Sequence, residues 1–202
     1  MKTFVLILFV TVLAGCSKTK NDDKAKQPLV PATSGEESVR IIEKQPKPDT
    51  LKGSLKARAT GSIGNVSIAI SYHSPAVRGR VVWGGLVPFD NVWVTGAHRA
   101  TSIEFGGDVE IGGAAIAAGK YALFTIPGKD NWTIILNKNW NQHLADDYNE
   151  KDDLVRVKVK PETDPTNQER LRYVVESESD HSGKIALHWE NLQIRLPIIV
   201  PQ

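Results

Sequence analysis

Cysteine is nearly absent from this chain, since Cys16 is the only one among 202 residues. A single cysteine forms no intramolecular disulfide and supplies no zinc-thiolate cluster, so the fold has to depend on a packed core. Net charge is also small, +2 at neutral pH, which is too little to indicate a nucleic-acid-binding domain. The sequence lacks a nucleophile elbow and a glycine-rich phosphate loop, which disfavours two common enzyme classes.

One long apolar run is present, at residues 3–14, directly after Lys2. The run is too short to span a bilayer as a helix, and it ends within the sequence LAGC at residues 13–16. This arrangement is typical of a secretory signal, and LAGC resembles the lipobox of bacterial lipoproteins. We therefore predict a signal peptide at residues 1–15 and a lipid on Cys16. That lipid anchors the protein to a membrane of the cell envelope, with the outer membrane favoured.

Residues 16–53 follow the predicted signal, and their composition is polar. Lys, Asp, Glu, Pro, Ser and Thr predominate in residues 17–53, which contain no aromatic residue. Such a segment buries too little apolar surface to offset the entropy lost on folding. The sequence predicts a disordered tether that holds the folded part, residues 54–202, away from the lipid surface.

The folded part has the two-residue period of β-strands. Val66, Ile68, Ile70 and Tyr72 alternate with smaller or polar residues, which indicates a half-buried strand. Similar runs recur at residues 81–83, 101–105, 109–111, 120–126, 132–137, 154–160, 171–176, 184–189 and 192–200. Turn signals such as the glycine pair at residues 112–113 separate them. The pattern predicts a single all-β domain, either an antiparallel β-sandwich or a jelly-roll-like barrel.

One segment, residues 138–149, favours a short helix instead. Trp140, Leu144 and Tyr148 recur there at intervals of four residues, which is the spacing of one helix face. His143 and Asp147 are also four residues apart, so the predicted helix presents both on the same side.

The histidines are candidates for metal binding. His73 falls opposite the apolar set of its strand, and His98 shares a non-core face with Glu104 if the chain is extended from Thr95. Imidazole and carboxylate ligands suit zinc, copper, iron or nickel. The alternative is that these are ordinary surface histidines, because no HxH or HExxH spacing is present. The candidate ligands are His73, His98, His143, Asp147 and Glu104.

A second group of candidates is basic. Arg78 and Arg80 lie in a loop shaped by proline and glycine, and Arg99 adjoins His98. Guanidinium groups bind a carboxylate or a phosphate in a bidentate fashion, so these three arginines are candidates for an anion site. The alternative is that they pair with acidic residues inside the fold.

Four ordered blocks of sequence are similar to a known family. They are YHSPAVRGR at residues 72–80, WGGLVPF at 83–89, VWVTGAHRAT at 92–101 and AGKYALFTIP at 118–127. With further similarity at residues 132–137 and 142–148, they resemble the domain of unknown function 2911 family, found largely in Bacteroidetes and often secreted or lipid-anchored. The family has no assigned activity, so the resemblance implies no catalytic residue. Many relatives lack the histidines at positions 73 and 98, which implies a subgroup feature there.

Two functions from different classes fit these observations. The first is a lipid-anchored binding module with a pocket near residues 74–80 and 95–101, which takes a small anion, a saccharide or another envelope protein. The second is a metal-binding protein or a metal-dependent hydrolase that uses the histidine set, with zinc or copper as the metal. The first function requires no cluster of metal ligands and no catalytic group. We favour it, and with it a role without catalysis.

Overall fold

The computed structural model describes residues 49–202. The predicted signal peptide, Cys16 and most of the predicted tether lie outside the described residues. The described part contains a short 3₁₀ helix at Glu150–Asp152 and ten β-strands: β1 Leu55–Ile63, β2 Val66–Ser74, β3 Thr101–Phe105, β4 Val109–Ile111, β5 Ala114–Ile116, β6 Gly119–Ile126, β7 Trp132–Asn137, β8 Asp153–Val159, β9 Glu162–Ser177 and β10 Ser182–Ile199. Within residues 49–202 we find no helix with the length and hydropathy to cross a bilayer.

The strands form two antiparallel sheets. One has six strands in the order β1-β2-β3-β6-β7-β8, and the other has four in the order β5-β4-β10-β9. Ile70 and Ile103 of the first sheet belong to the same buried cluster as Leu187 and Trp189 of the second, so one core lies between the sheets. Neither sheet closes into a barrel within the described residues. The predicted all-β class is confirmed, and of the two predicted architectures the structure is the sandwich.

The strand β1 was not predicted, and its composition explains why. Its inward positions carry Ala57, Ala59 and Gly61, which give almost no apolar signal, although both alanines are buried. Small residues are needed there because β9 packs closely against β1: a Cβ added at Gly61 would lie 2.7 Å from the Cβ of Val175. Large apolar side chains do not fit at these positions, so β1 lacks the strong hydrophobic alternation by which a strand is predicted from sequence.

The predicted helix at residues 138–149 is wrong. Leu144 has a φ of 50°, in the left-handed region that a right-handed helix excludes. Its backbone N–H donates to the carbonyl of His98 at 2.8 Å. The ring of Tyr148 packs against Phe124 of β6, with 5.2 Å between ring centroids. Contacts with the sheet and with a neighbouring loop therefore replace the intrahelical hydrogen bonds.

The strand predicted at residues 81–83 is also wrong, because that segment forms a tight turn. The N–H of Leu86 donates to the carbonyl of Val81 at 3.0 Å. Gly84 has a φ of 78°, a conformation that glycine adopts without steric cost. The apolar residues of this segment thus lie in a turn and not in the alternating pattern of a strand. The glycine pair at residues 112–113, in contrast, forms the predicted hairpin turn between β4 and β5.

A polar network fixes the end of the 138–149 segment. The hydroxyl of Tyr148 donates to Asp153 Oδ2 at 2.6 Å, and Asn137 Nδ2 donates to Asp153 Oδ1 at 2.7 Å. Burial, together with the adjacent Asp153 carboxylate, raises the pKa of Tyr148 to about 12. The phenol therefore stays protonated, and this hydrogen bond persists, at any physiological pH.

The guanidinium of Arg170, on β9, fastens the start of the domain. It forms an ion pair with Asp49 at 2.9 Å, and both side chains are almost fully buried. It also donates to the carbonyls of Leu51 at 2.8 Å, Gly53 at 3.1 Å and Ser74 at 3.2 Å. Residues 49–53, the described end of the predicted tether, are thereby held against the start of β1 and the end of β2.

Substitution of Arg170 tests this fastening. Arg170→Met removes the partner of a buried carboxylate and the donor to three carbonyls, so we expect the free energy of unfolding to fall by about 3–5 kcal/mol in urea denaturation. Arg195→Met is the matched control, because Arg195 is 30% exposed and pairs with Glu162 at the surface. Its expected cost is below about 1 kcal/mol. Equal losses in the two variants would contradict the account.

Candidate functional site

The six-stranded sheet has an outer face that is only half covered. Residues 90–100 and 138–149 lie over the β6–β7 half, where Val94, Ala100, Ala122, Phe124 and Ile135 form a second buried cluster with Ala145 and Tyr148 packed against it. The β1–β3 half carries polar and charged side chains. A pocket lies where the covering segments end.

This pocket has a volume of about 360 Å³. Its basic residues are Lys56, Arg58, His73 and Arg99, and its other residues with polar or aromatic side chains are Ser71, Tyr72, Ser102, Trp140 and Asn141. We call it the basic pocket. A volume of this size suits a small molecule.

Strand register brings the first of these residues together. Lys56 is opposite His73 and Arg58 is opposite Ser71 in the β1–β2 ladder, while Ser71 is opposite Ser102 in the β2–β3 ladder. Alternate residues of a strand share one face, so the inward packing of the apolar set leaves these five side chains outside. The floor of the pocket is therefore fixed by backbone hydrogen bonding.

Loop residues complete the pocket. Arg99 belongs to the covering segment 90–100, and its Nη2 donates to Oδ1 of Asn141 at 2.7 Å. Gln142 is buried next to them, and its amide donates to the carbonyl of Asn139 at 2.5 Å. The N–H of Ala100 donates to the carbonyl of Gln142 at 3.1 Å. The two covering segments are thus joined at the rim of the pocket.

The charged side chains that line the basic pocket are all basic. None of the described residues that line it is acidic. Within residues 49–202, neither Lys56 nor Arg58 forms an ion pair with a carboxylate. Glu104 lies on the same outer face, but it is in register with Lys120 of β6 and does not line the pocket. Among the described residues, the three positive charges of Lys56, Arg58 and Arg99 are therefore concentrated without an acidic partner at the pocket.

His73 is the imidazole of the pocket. Its pKa is lowered from the ordinary value of 6.5, first by burial and then by Coulomb repulsion from His98, Lys56 and Arg99. At neutral pH the imidazole is therefore uncharged in the empty pocket. An anion bound beside it would oppose both causes and raise that pKa.

The structure brings two of the predicted metal ligands together by their side chains. The rings of His73 and His98 are 5.2 Å apart between centroids, at an angle of 84°. His98 lies in a turn and has a φ of 64°. The extended chain from Thr95, on which its predicted position depended, is therefore not formed there. The backbone of His143 forms an isolated β-bridge with Arg99, the residue that follows His98.

The other predicted ligands do not complete a metal site with the histidine pair. The side chain of His143 is 68% exposed and lies 3.6 Å from Asp146, so its carboxylate neighbour is not the predicted Asp147. Glu104 is opposite Ala69 in the β2–β3 ladder, four positions from His73, or about 13 Å along the strand. Residues 49–202 contain no group of three or more His, Cys, Asp or Glu side chains placed to hold a metal ion. The metal-ligand set stays a prediction without such a cluster to support it.

Of the three predicted anion-binding arginines, the structure brings Arg99 alone to the pocket. Arg78 Nη2 donates to the carbonyl of Leu51. Arg80 donates to the carbonyls of Val77 at 3.1 Å and Ala76 at 2.5 Å. Both guanidinium groups thus donate to backbone carbonyls. This role differs from the two that the sequence suggested, which were anion binding and pairing with acidic residues inside the fold.

Sequence reasoning missed Lys56 and Arg58 because it missed β1. The signal was available in the alternation of charged and small residues at positions 56–59, which is a strand pattern with small inward residues.

A further pair, His188 and Asp164, lies on the other sheet, with 2.7 Å between Nδ1 and Oδ2. Burial raises the pKa of Asp164, but hydrogen bonds from Thr166 and His188 outweigh it and leave that pKa below its ordinary value.

Comparison with protein-family models matches residues 54–198 to the family described as protein of unknown function (DUF2911). Comparisons with curated proteins and with solved structures find no match. The family match includes the four blocks noted in the sequence and every strand of the sandwich except the last residue of β10. The chain therefore belongs to the DUF2911 family.

Proposed function

We propose that this protein is a lipid-anchored binding protein of the cell envelope, and that its β-sandwich binds a small anionic molecule in the basic pocket. The observation that carries the binding role is the concentration of Lys56, Arg58 and Arg99 around one cavity without an acidic lining residue. The role asks for no catalytic group.

The three positive charges repel one another in the empty pocket. Like charges held on one short stretch of surface raise the free energy of the empty state, because their mutual Coulomb energy is only partly screened by water. A carboxylate, sulfate or phosphate relieves that repulsion and accepts charge-assisted hydrogen bonds from the guanidinium groups. Ser71, Ser102 and Asn141 supply further polar groups at the same cavity. An anion thus complements both the charge and the hydrogen-bonding groups of the pocket.

The anchoring part of the proposal rests on the sequence. The apolar run at residues 3–14 and the LAGC motif support lipidation of Cys16. Two or three acyl chains hold a protein stably at a membrane, whereas one chain gives only reversible binding. The polar residues 17–48 would then separate the binding domain from the lipid surface.

Anion binding is tested by titration calorimetry of the full chain with sulfate and with acetate. We expect saturable binding at one site, and we expect Arg58→Gln and Arg99→Gln each to weaken it about tenfold, because each removes a charged hydrogen-bond donor. Arg80→Gln is the matched control, since its guanidinium binds backbone carbonyls outside the pocket. Absence of binding, or an equal loss in the Arg80 variant, would contradict the proposal.

The affinity for sulfate should depend on pH through His73. Its free-state pKa is lowered and a bound anion raises it, so binding takes up a proton. Affinity is therefore expected to rise severalfold as pH falls from about 8 to about 5. The His73→Gln variant should show a flatter profile, whereas His181→Gln, in an exposed turn, should keep the wild-type dependence. An affinity that falls at acidic pH would argue against an imidazole in the site.

Lipidation is tested by substitution of the cysteine. Cys16→Ser should abolish incorporation of labelled fatty acid and release the protein from the membrane fraction, because the acyl chains supply the membrane affinity. Thr19→Ala is the control and should behave as the wild type. Recovery of wild-type protein from the soluble fraction with residues 1–15 intact would rule out the anchor.

A further inference from the structure

We propose that the ligand of the basic pocket is an acidic sugar, a hexuronic acid or a short saccharide that carries one, whose ring lies on Trp140 and whose carboxylate lies among the arginines. This inference rests on the proposed function and names the chemical class of its ligand. It adds an aromatic wall to the charged groups already described.

Trp140 differs from the other tryptophans of the chain. Trp83, Trp93, Trp132 and Trp189 pack on one another, with ring centroids 4.9 to 6.4 Å apart. They belong to the main core or pack against it. Trp140, in contrast, is 41% exposed and lines the basic pocket. Because exposure of a large aromatic ring to water is unfavourable, its position at a polar cavity points to a ligand with an apolar face.

The indole ring of Trp140 is held in place before any ligand binds. The Lys120 ammonium lies 3.9 Å from the ring centroid, which is a cation–π contact. The backbone N–H of Trp140 donates to the carbonyl of Lys138 at 3.1 Å, and the side chain of the next residue, Asn141, accepts from Arg99. A ring held in this way binds a flat partner at little cost in side-chain entropy.

The remaining groups match the hydroxyl groups and the ring of a sugar. The C–H bonds of a pyranose ring pack on the electron-rich face of an indole, as other weak donors do. Ser71 and Ser102 face each other across β2 and β3, and their hydroxyl groups both donate and accept. Asn141 Oδ1 is already bonded to Arg99, which leaves its amide N–H groups to donate. Hydroxyl-rich ligands need such mixed partners.

A nucleotide is the competing ligand, because it also combines a ring with negative charge. The observations favour the sugar acid because the pocket offers one indole wall, with Lys120 over its ring. Tyr72 also lines the pocket, but its ring packs against Tyr173 in the core. The described lining therefore has no second indole, phenol or phenyl ring placed to enclose a base.

The test compares ligands that share a charge or a ring. The full chain, purified in detergent, is titrated with glucuronate, galacturonate, acetate, glucose and a nucleoside monophosphate. We expect one of the uronates to bind about tenfold or more tightly than acetate and glucose, because charge and ring both contribute. A nucleoside monophosphate that binds more tightly than both uronates would overturn the inference.

Variants separate this inference from the proposed function. Trp140→Ala should lower the uronate affinity about tenfold and leave the acetate affinity unchanged, and Trp140→Phe should restore part of the loss. Arg58→Gln should weaken both ligands. If uronates bind no more tightly than acetate, or if Trp140→Ala weakens both equally, the sugar is excluded while anion binding stands. If neither acetate nor any uronate binds, the proposed function fails with it.

Discussion

The antiparallel register between β1 and β2 is the constraint on which the rest of the structure depends. It places Lys56 opposite His73 and Arg58 opposite Ser71, all on the face that points away from the core. A one-residue slip of β1 would turn Lys56 and Arg58 inward and expose Ala57 and Ala59 instead. That slip is disfavoured because it would bury two unpaired charges in the core. The charge of the pocket is therefore a consequence of how the sandwich packs.

The covering segments turn this polar face into a pocket. Residues 90–100 and 138–149 bury the apolar half of the outer face and stop at the polar half. They carry Arg99, Trp140 and Asn141 to the rim, and the hydrogen bond between Arg99 and Asn141 joins them. Their backbone takes positive φ values at Thr95, His98 and Leu144, so their shape is set by tertiary contacts and not by a repeating element.

The sequence was most informative where a local pattern decides the structure. The alternation in β2 and the glycine pair between β4 and β5 predicted a strand and a hairpin correctly, because both depend on neighbours along the chain. The helix at residues 138–149 was predicted from a four-residue spacing, and tertiary contacts of Leu144 and Tyr148 override it. Strand β1 was missed because close packing at Gly61 demands small inward residues.

The same distinction explains the candidate site. Arg99 and His73 were singled out from the sequence, but their grouping with Arg58 and Trp140 depends on contacts between segments far apart in the chain. Arg78 and Arg80 have the composition of an anion site, yet backbone carbonyls occupy their guanidinium groups. Spacing along the chain does not show which donors are already used, whereas the folded structure does.

The most direct measurement of the central claim is a two-dimensional amide NMR titration of the protein with sulfate. The account predicts that the largest shifts fall at residues 56–58, 71–73 and 99–102, together with the backbone and indole N–H signals of Trp140, and that they saturate with a single dissociation constant. Shifts concentrated at residues 76–80, or spread evenly over both sheets without saturation, would contradict a built anion site in the basic pocket.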